Sequence, residues 1–529
     1  MRPLHVSERV PPACSNRTPS STRPTLKYLH LLLTLVIPTG LLGSRAVHAQ
    51  AQTEPQPVGS ATAESLPTSG MLSYERIRLP QGERVGLIGG SLLFDIGGDW
   101  GLGPAVYGAA RGQRGGFFVG GVELQRRWGL ARGLSLATGL YVGGGGGNGA
   151  PVGGGLMLRP ALTLLKDLGP SLQLGLSWSS VRFPSGQIGS NQLGLGLAWR
   201  NEFIHFKGAS GDLAPQLNTA TGLGFDRMEA TVSRYRLSGA DDRRLGLVGA
   251  RAERRTGVDG VTWGLEAAAA AQGSSAGYME ILGTTAYSIA PLPSIVPSWR
   301  VGLRAGAGLG GGGGLPAGGG LIGKAAGTTE WRIAPGWTLG GEYGGLRSVN
   351  GGLRAREVRV WLGIDLEPGV DGRADSPRRL VRTEWVGAVQ HHARIERRNG
   401  TRESLDTIGL KLNRYVGDNF YFTGQAHSEF AGGAGAYSVG LVGVGLATGS
   451  AVPWRVGAEA LVGAAGGGGA VTAGGAIGQG LLWAGWRPAP DGTDGEWRAG
   501  VGATKVLRRG ATSPVFELSW SRAFGMAGR

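Results

Sequence analysis

The sequence predicts an all-β chain, an antiparallel transmembrane β-barrel built from three internal repeats of about eight strands. Three observations carry that prediction. Large apolar residues alternate with small, polar or charged ones in run after run. The runs fall into three related units, each roughly 155 residues long. Each run has about ten residues, the length that crosses a bilayer at ~45° tilt.

Composition bounds the alternatives. Glycine accounts for 102 of 529 residues, against an ordinary share of roughly 7%. A disordered chain lacks large apolar residues, yet 41% of this one is hydrophobic, with 15 Trp. Glycine does not recur at every third position, which excludes a collagen helix. The net charge of +16 is almost all arginine, spread along the chain. It forms no stripe or tail, so nucleic acid is not expected as a partner. Cys14 is the single cysteine, so no disulfide can close within one chain.

The N-terminus reads as an export signal. Arg17, Arg23 and Lys27 precede the apolar stretch Leu29 to Leu42, and Val47 and Ala49 fit a small-residue cleavage site. The apolar core is too short to span a bilayer and is broken by Pro38 and Gly40. Residues 1–49 are therefore expected to be a signal peptide. Residues 50–70, rich in Pro, Thr, Ser, Ala and Gln, are expected to be a flexible linker.

The repeats follow. Trp299-Arg300-Val301-Gly302 leads into the glycine run Gly310 to Gly314, and Trp454-Arg455-Val456-Gly457 leads into Gly466 to Gly469. A third run spans Gly143 to Gly147, and a second glycine cluster follows each of the three. The units are placed at 71–207, 226–367 and 381–529, with joining loops at 208–225 and 368–380. Within them, Leu172, Leu174, Leu176 and Trp178 alternate with Gln173, Gly175 and Ser177, and Val358, Val360, Leu362 and Ile364 alternate with Arg359, Trp361 and Gly363. Turn signals such as Asn399-Gly400 separate the runs.

One face of each strand is large and apolar. In a soluble sandwich that face is the core, whereas in a membrane barrel it meets lipid. Export, strand length and tryptophans at strand ends (Trp178, Trp199, Trp299, Trp454, Trp520) favour the barrel. Val515 to Phe524 is similar to the terminal strand of bacterial outer-membrane β-barrel proteins, with Phe524 in the place of their terminal aromatic. The chain resembles that porin-like class in general, through its leader, strand pattern and last strand. The resemblance implies the outer membrane of a Gram-negative bacterium, with membrane lipid and the barrel-assembly machinery as partners.

Function is read from charges and glycines. Arg76, Arg78, Arg234, Arg236 and Arg394 alternate with apolar residues on the first strand of each unit. If the apolar set faces lipid, the arginines line a lumen, and a ring of arginines favours small anionic solutes. The alternative is a basic rim that meets lipid phosphate. Gly145, Gly312 and Gly467 mark glycine hairpins, expected as close-packing points, either corners of one large barrel or contacts between three small ones. One ring of about 24 strands is favoured, because inward faces of Gly, Ala and Ser leave an eight-strand interior unfilled. The long joining loops favour three separate barrels instead. The resulting expectation is a passive pore or conduit with an anion preference. The competing readings are a structural or adhesive barrel without a channel, and a secreted β protein.

No catalytic, metal or cofactor site is expected. His391 and His392 are adjacent and point to opposite faces of a strand. Gly318 to Lys324 nearly spells a phosphate-binding loop, but Ala325 stands where Ser or Thr binds magnesium.

Overall fold

The structure, a computed structural model, describes residues 63–206, 211–213, 221–238, 243–366, 378–449, 452–488, 495–508 and 510–528. The leader and most of the linker lie outside the described residues.

Alternating sequence becomes antiparallel ladder throughout. The first eight strands are β1 (Ala63–Arg78), β2 (Arg84–Gly97), β3 (Trp100–Arg111), β4 (Phe118–Ala131), β5 (Leu134–Gly146), β6 (Met157–Asp167), β7 (Leu172–Arg182) and β8 (Gly189–Phe206). Each pairs with the next, and β8 pairs back with β1 over Ala63↔Phe206 to Glu75↔Gly194. The short β9 (Gly211–Leu213) follows.

The second ring comprises β10 (Arg227–Leu237), β11 (Arg244–Arg255), β12 (Val261–Gln272), β13 (Met279–Ile289), β14 (Trp299–Gly311), β15 (Leu321–Ala334), β16 (Trp337–Ser348) and β17 (Arg354–Asp365), closed by β10–β17 pairing. The third comprises β18 (Arg378–Glu396), β19 (Arg402–Val416), β20 (Phe420–Ala431), β21 (Ser438–Ala447), β22 (Trp454–Gly466), β23 (Ala476–Trp486), β24 (Glu496–Val506) and β25 (Thr512–Gly528). Here β25 returns to β18 over Arg379↔Gly528 to His392↔Val515. Strand β9 pairs with the start of β18 and ties the first ring to the third.

The favoured single ring of about 24 strands is therefore not formed. Three eight-stranded barrels form instead, because their interiors are not small-residue faces. Trp361, Arg251, Arg359, Tyr141, Tyr235, Tyr421 and Lys411 are fully buried and fill them. The expected boundaries shift slightly. Strand β1 starts at Ala63, inside the segment read as linker, and β18 starts at Arg378, inside the second joining segment.

Burial is inside out. On β7 and β8, Leu174, Leu176, Leu193 and Leu195 are exposed, while Gln173, Ser177, Ser179 and Gln192 are buried. The same parity holds on β17, with Val358, Val360 and Leu362 outward and Glu357 and Arg359 inward. In water this arrangement wastes the hydrophobic effect. In a bilayer it hides the charges and gives lipid an apolar band.

Candidate functional site: sealed barrel interiors around a glycine hub

The middle of each barrel holds buried ion pairs. In the second barrel Arg251 contacts Glu229 (2.6 Å), Glu342 (2.7 Å) and Glu266 (3.2 Å). Arg359 continues the chain to Glu266 (2.6 Å) and Glu357 (2.8 Å), and Lys324 bridges the same two carboxylates at 2.9 and 2.8 Å. The hydroxyls of Tyr235 and Tyr278 both donate to Glu280 at 2.7 Å. Lys324 of the near phosphate loop is thus a strut inside a barrel. In the third barrel Arg498 and Arg455 clamp Glu384 and Glu496, while Lys411 joins Glu459 and Glu517. The first barrel is simpler. Arg159 donates two bonds of 2.9 Å to Glu75, beside a cavity of about 10 Å³, room for one water.

One end of each barrel is closed by apolar side chains. Ile77, Leu79, Val85, Phe117, Val181 and Phe183 pack together in the first. Leu237, Leu245, Tyr278, Leu346 and Leu353 do so in the second, and Ile395, Leu405, Tyr437 and Ile477 in the third. The loop after the fifth strand folds into this mouth, placing Val152, Leu315 or Ala470 among them. Its turns repeat in all three copies: the amides of Ala150, Leu315 and Ala470 donate to the carbonyls of Gly147, Gly312 and Gly467 at 3.1 Å.

That inward apolar cap overturns the lumen-lining expectation. Parity puts Ile77 and Tyr235 inside, so Arg76, Arg78, Arg234 and Arg236 face outward and are exposed. Arg394 is also exposed, at a register break in β18 and with φ of 58°. Apolar residues face outward only along the middle of these strands and turn inward at this end. The anion preference drawn from those arginines loses its basis.

The glycine runs meet at the same end and join the barrels. Gly145, Gly312 and Gly467 all have positive φ, and a Cβ on each would strike a carbonyl of its own barrel, from Phe118, Gly277 or Ala436. Contact between barrels falls to their neighbours. Gly146 abuts Gly435, Gly311 abuts Gly115 and Gly116, and Gly466 abuts Gly277. Gly155, Gly320 and Gly475 likewise sit against the carbonyls of Glu429, Ala109 and Ala270. Each barrel thus reaches over the next in a closed cycle of three equivalent contacts. The amide of Gly115 donates across it to the carbonyl of Gly318 at 2.7 Å. A cavity of about 380 Å³ lies at the meeting point, lined by Gly116, Gly277, Ala436, Gly312 and Gly467.

At the opposite end tryptophans form a belt. Trp454, Trp486, Trp497 and Trp520 stand opposite one another across β22 to β25, and Trp299 stacks on Trp331. Of the tryptophans expected at strand ends, Trp178, Trp199 and Trp520 lie within β7, β8 and β25, while Trp299 and Trp454 open β14 and β22. Phe524 closes an aromatic cluster with Phe203, Phe94 and Trp385, a second junction between the first and third barrels.

His391 is partly exposed beside Asp406 (2.7 Å), His392 is buried on the other face, and no three metal-ligating side chains converge among the described residues.

No protein-family model and no curated protein matches the chain. Solved bacterial structures, among them the outer membrane protein OpdK, align with it. The Pseudomonas aeruginosa protein OpdK, solved with vanillate, is 10% identical over 88% of this chain and 98% of its own, at a TM-score of 0.22. OccK2 (OpdF) of the same organism, solved with glucuronate, gives 10%, 88%, 98% and 0.22. OccAB3 of Acinetobacter baumannii gives 9%, 88%, 100% and 0.21. At such scores the likeness carries no weight for fold or function. The class rests on the molecule itself: an all-β protein of antiparallel barrels with inside-out burial.

Proposed function

We propose that the chain is an outer-membrane protein of a Gram-negative bacterium, three barrels in one polypeptide, acting as a closed structural body in the bilayer. The observation that carries this reading is the combination of an apolar outer band with interiors filled by ion pairs and capped by apolar side chains. The leader, residues 1–49, directs export, and the barrel-assembly machinery inserts the strands. No enzymatic role is assigned.

Fractionation tests the location. The mature protein is expected to begin near Gln50 and to sediment with outer membranes on a density gradient. Recovery in the soluble periplasm would overturn the reading. Planar-bilayer recording tests closure, with insertion and no stepwise conductance expected. A passive pore remains the second reading, favoured by the polar, charged lining of all three interiors. It requires stable conductance from the unmodified protein.

A further inference from the structure

On the second barrel two belt tryptophans, Trp299 and Trp331, stack face to face, 6.1 Å apart and 11° from parallel. On the first barrel a cation stands between two such rings. The guanidinium carbon of Arg126 lies 5.5 Å from the ring centre of Trp100 and 5.3 Å from that of Trp128. Register builds the arrangement. Trp100 opens β3 directly opposite Arg126 on β4, and Trp128 follows two residues later on the same face. Inward parity on β4 belongs to the buried Glu123 and Gln125, so all three side chains stand on the outer wall.

An indole face within about 6 Å attracts a cation but leaves its N–H donors unused. Arg126 makes no hydrogen bond and no ion pair among the described residues. Its Nε is buried without a partner, whereas its two terminal nitrogens reach the surface. The nearby acids do not answer it. Glu123 faces the interior, where the Tyr107 hydroxyl donates to it, and Asp95 accepts from the amide of Gly97 at 2.6 Å. Asp99, exposed in the turn before Trp100, forms no ion pair with Arg126. Arg127, next along the chain, turns inward and donates to Gln125. Toward the middle of the wall the next outward positions are Leu124 and Leu102, opposite one another. The cation thus stands where the apolar band gives way to the aromatic belt, at the depth of headgroups.

We propose that Trp100, Arg126 and Trp128 form a binding site for a phosphate group, carried by a phospholipid of the surrounding leaflet. The indoles cover both faces of the guanidinium and hold its plane. Only its edge, with the two terminal nitrogens, is offered outward. That edge fits two oxygens of one phosphate, a two-point grip that an ammonium does not supply. The proposal rests on the membrane reading above and adds a ligand to it.

The full chain, refolded into detergent micelles and shown to be folded by its gel mobility before and after heating, is offered two photoreactive lipids. One is a phosphatidylglycerol with a diazirine on its headgroup. The other is a diacylglycerol with the same acyl chains and diazirine but no phosphate. After illumination, mass spectrometry of the digested protein locates the adducts. The phosphate-bearing probe is expected to label the segment around Trp100, Arg126 and Trp128 about fivefold or more over the other. Arg126→Gln is expected to lose that excess. Arg132→Gln, which removes an exposed cation from the neighbouring turn, is expected to keep it. Labelling that persists in excess glycerol 3-phosphate supports the lipid as the ligand, and labelling lost to it overturns the lipid in favour of a soluble phosphate ester. Equal labelling by the two probes, or a folded Arg126→Gln protein that keeps the excess, overturns the proposal. Failure of the wild-type chain to enter micelles as a folded barrel overturns the membrane reading instead.

Discussion

At the scale of single residues, the interiors depend on charges that cannot be removed one at a time. Arg251 lies among Glu229, Glu266 and Glu342, all fully buried. Deleting one partner of a buried network strands the others without solvent, at about 3–5 kcal/mol. Arg251→Met is therefore expected to lower the unfolding free energy of the second barrel by that much, read as a lower urea midpoint. Adding Glu229→Gln to Arg251→Met is expected to recover part of the loss, since one stranded charge disappears. Equal midpoints for wild type and Arg251→Met would mean that water reaches the interior and the barrel is open. The hub makes an opposite demand, for the absence of side chains. Gly155 combines a φ of 89° with a position against the carbonyl of Glu429, so any Cβ there meets both conformational strain and a neighbouring backbone.

At the scale of strands, the sequence carried the alternation, the number of barrel strands and the threefold repeat. It did not carry the closure. Whether β8 pairs with β1 or with a strand of the next unit is a long-range choice that period-two alternation leaves open. The choice turned on the interior, and a few long side chains decide that. Arg359 and Trp361 stood in plain view on the inward parity of β17, yet weighed less than the many Gly, Ala and Ser around them. The facing of Arg76 and Arg234 was lost for a related reason. Parity is legible within a strand, but which parity faces inward changes meaning when the mouth of the barrel is itself apolar. If closure is local to each unit, residues 221–366 expressed alone should refold in detergent as a compact barrel whose gel mobility shifts on heating. A fragment that folds only as a trimer would place the closing contacts in neighbouring copies.

At the scale of the whole molecule, the three barrels are held in one arrangement by glycine packing at one end and by joining segments and aromatics at the other. Arg414 donates to the carbonyls of Leu366 (3.0 Å) and Ala527 (3.1 Å), tying all but the first barrel together there. The hub is the more specific tie, because backbone meets backbone and no side chain can adjust. It can be read out directly. A Cβ built on Gly120 of the first barrel lies 3.5 Å from Oγ of Ser428 in the third, close enough for a bridge between cysteines. The natural cysteine, Cys14, lies in the expected leader. Gly120→Cys with Ser428→Cys is therefore expected to form one disulfide in high yield in the folded protein. Protease cleavage between the first and second barrels would then leave the fragments linked until reduction. Adding Gly155→Val should cut that yield severalfold while the heat-dependent gel shift of the barrels persists, since the strain falls on docking and spares each ladder. Loss of the gel shift together with the disulfide would instead make the hub part of each barrel's own folding. Full cross-linking in the Gly155→Val protein would show that the glycines are dispensable and that the distal aromatics set the arrangement.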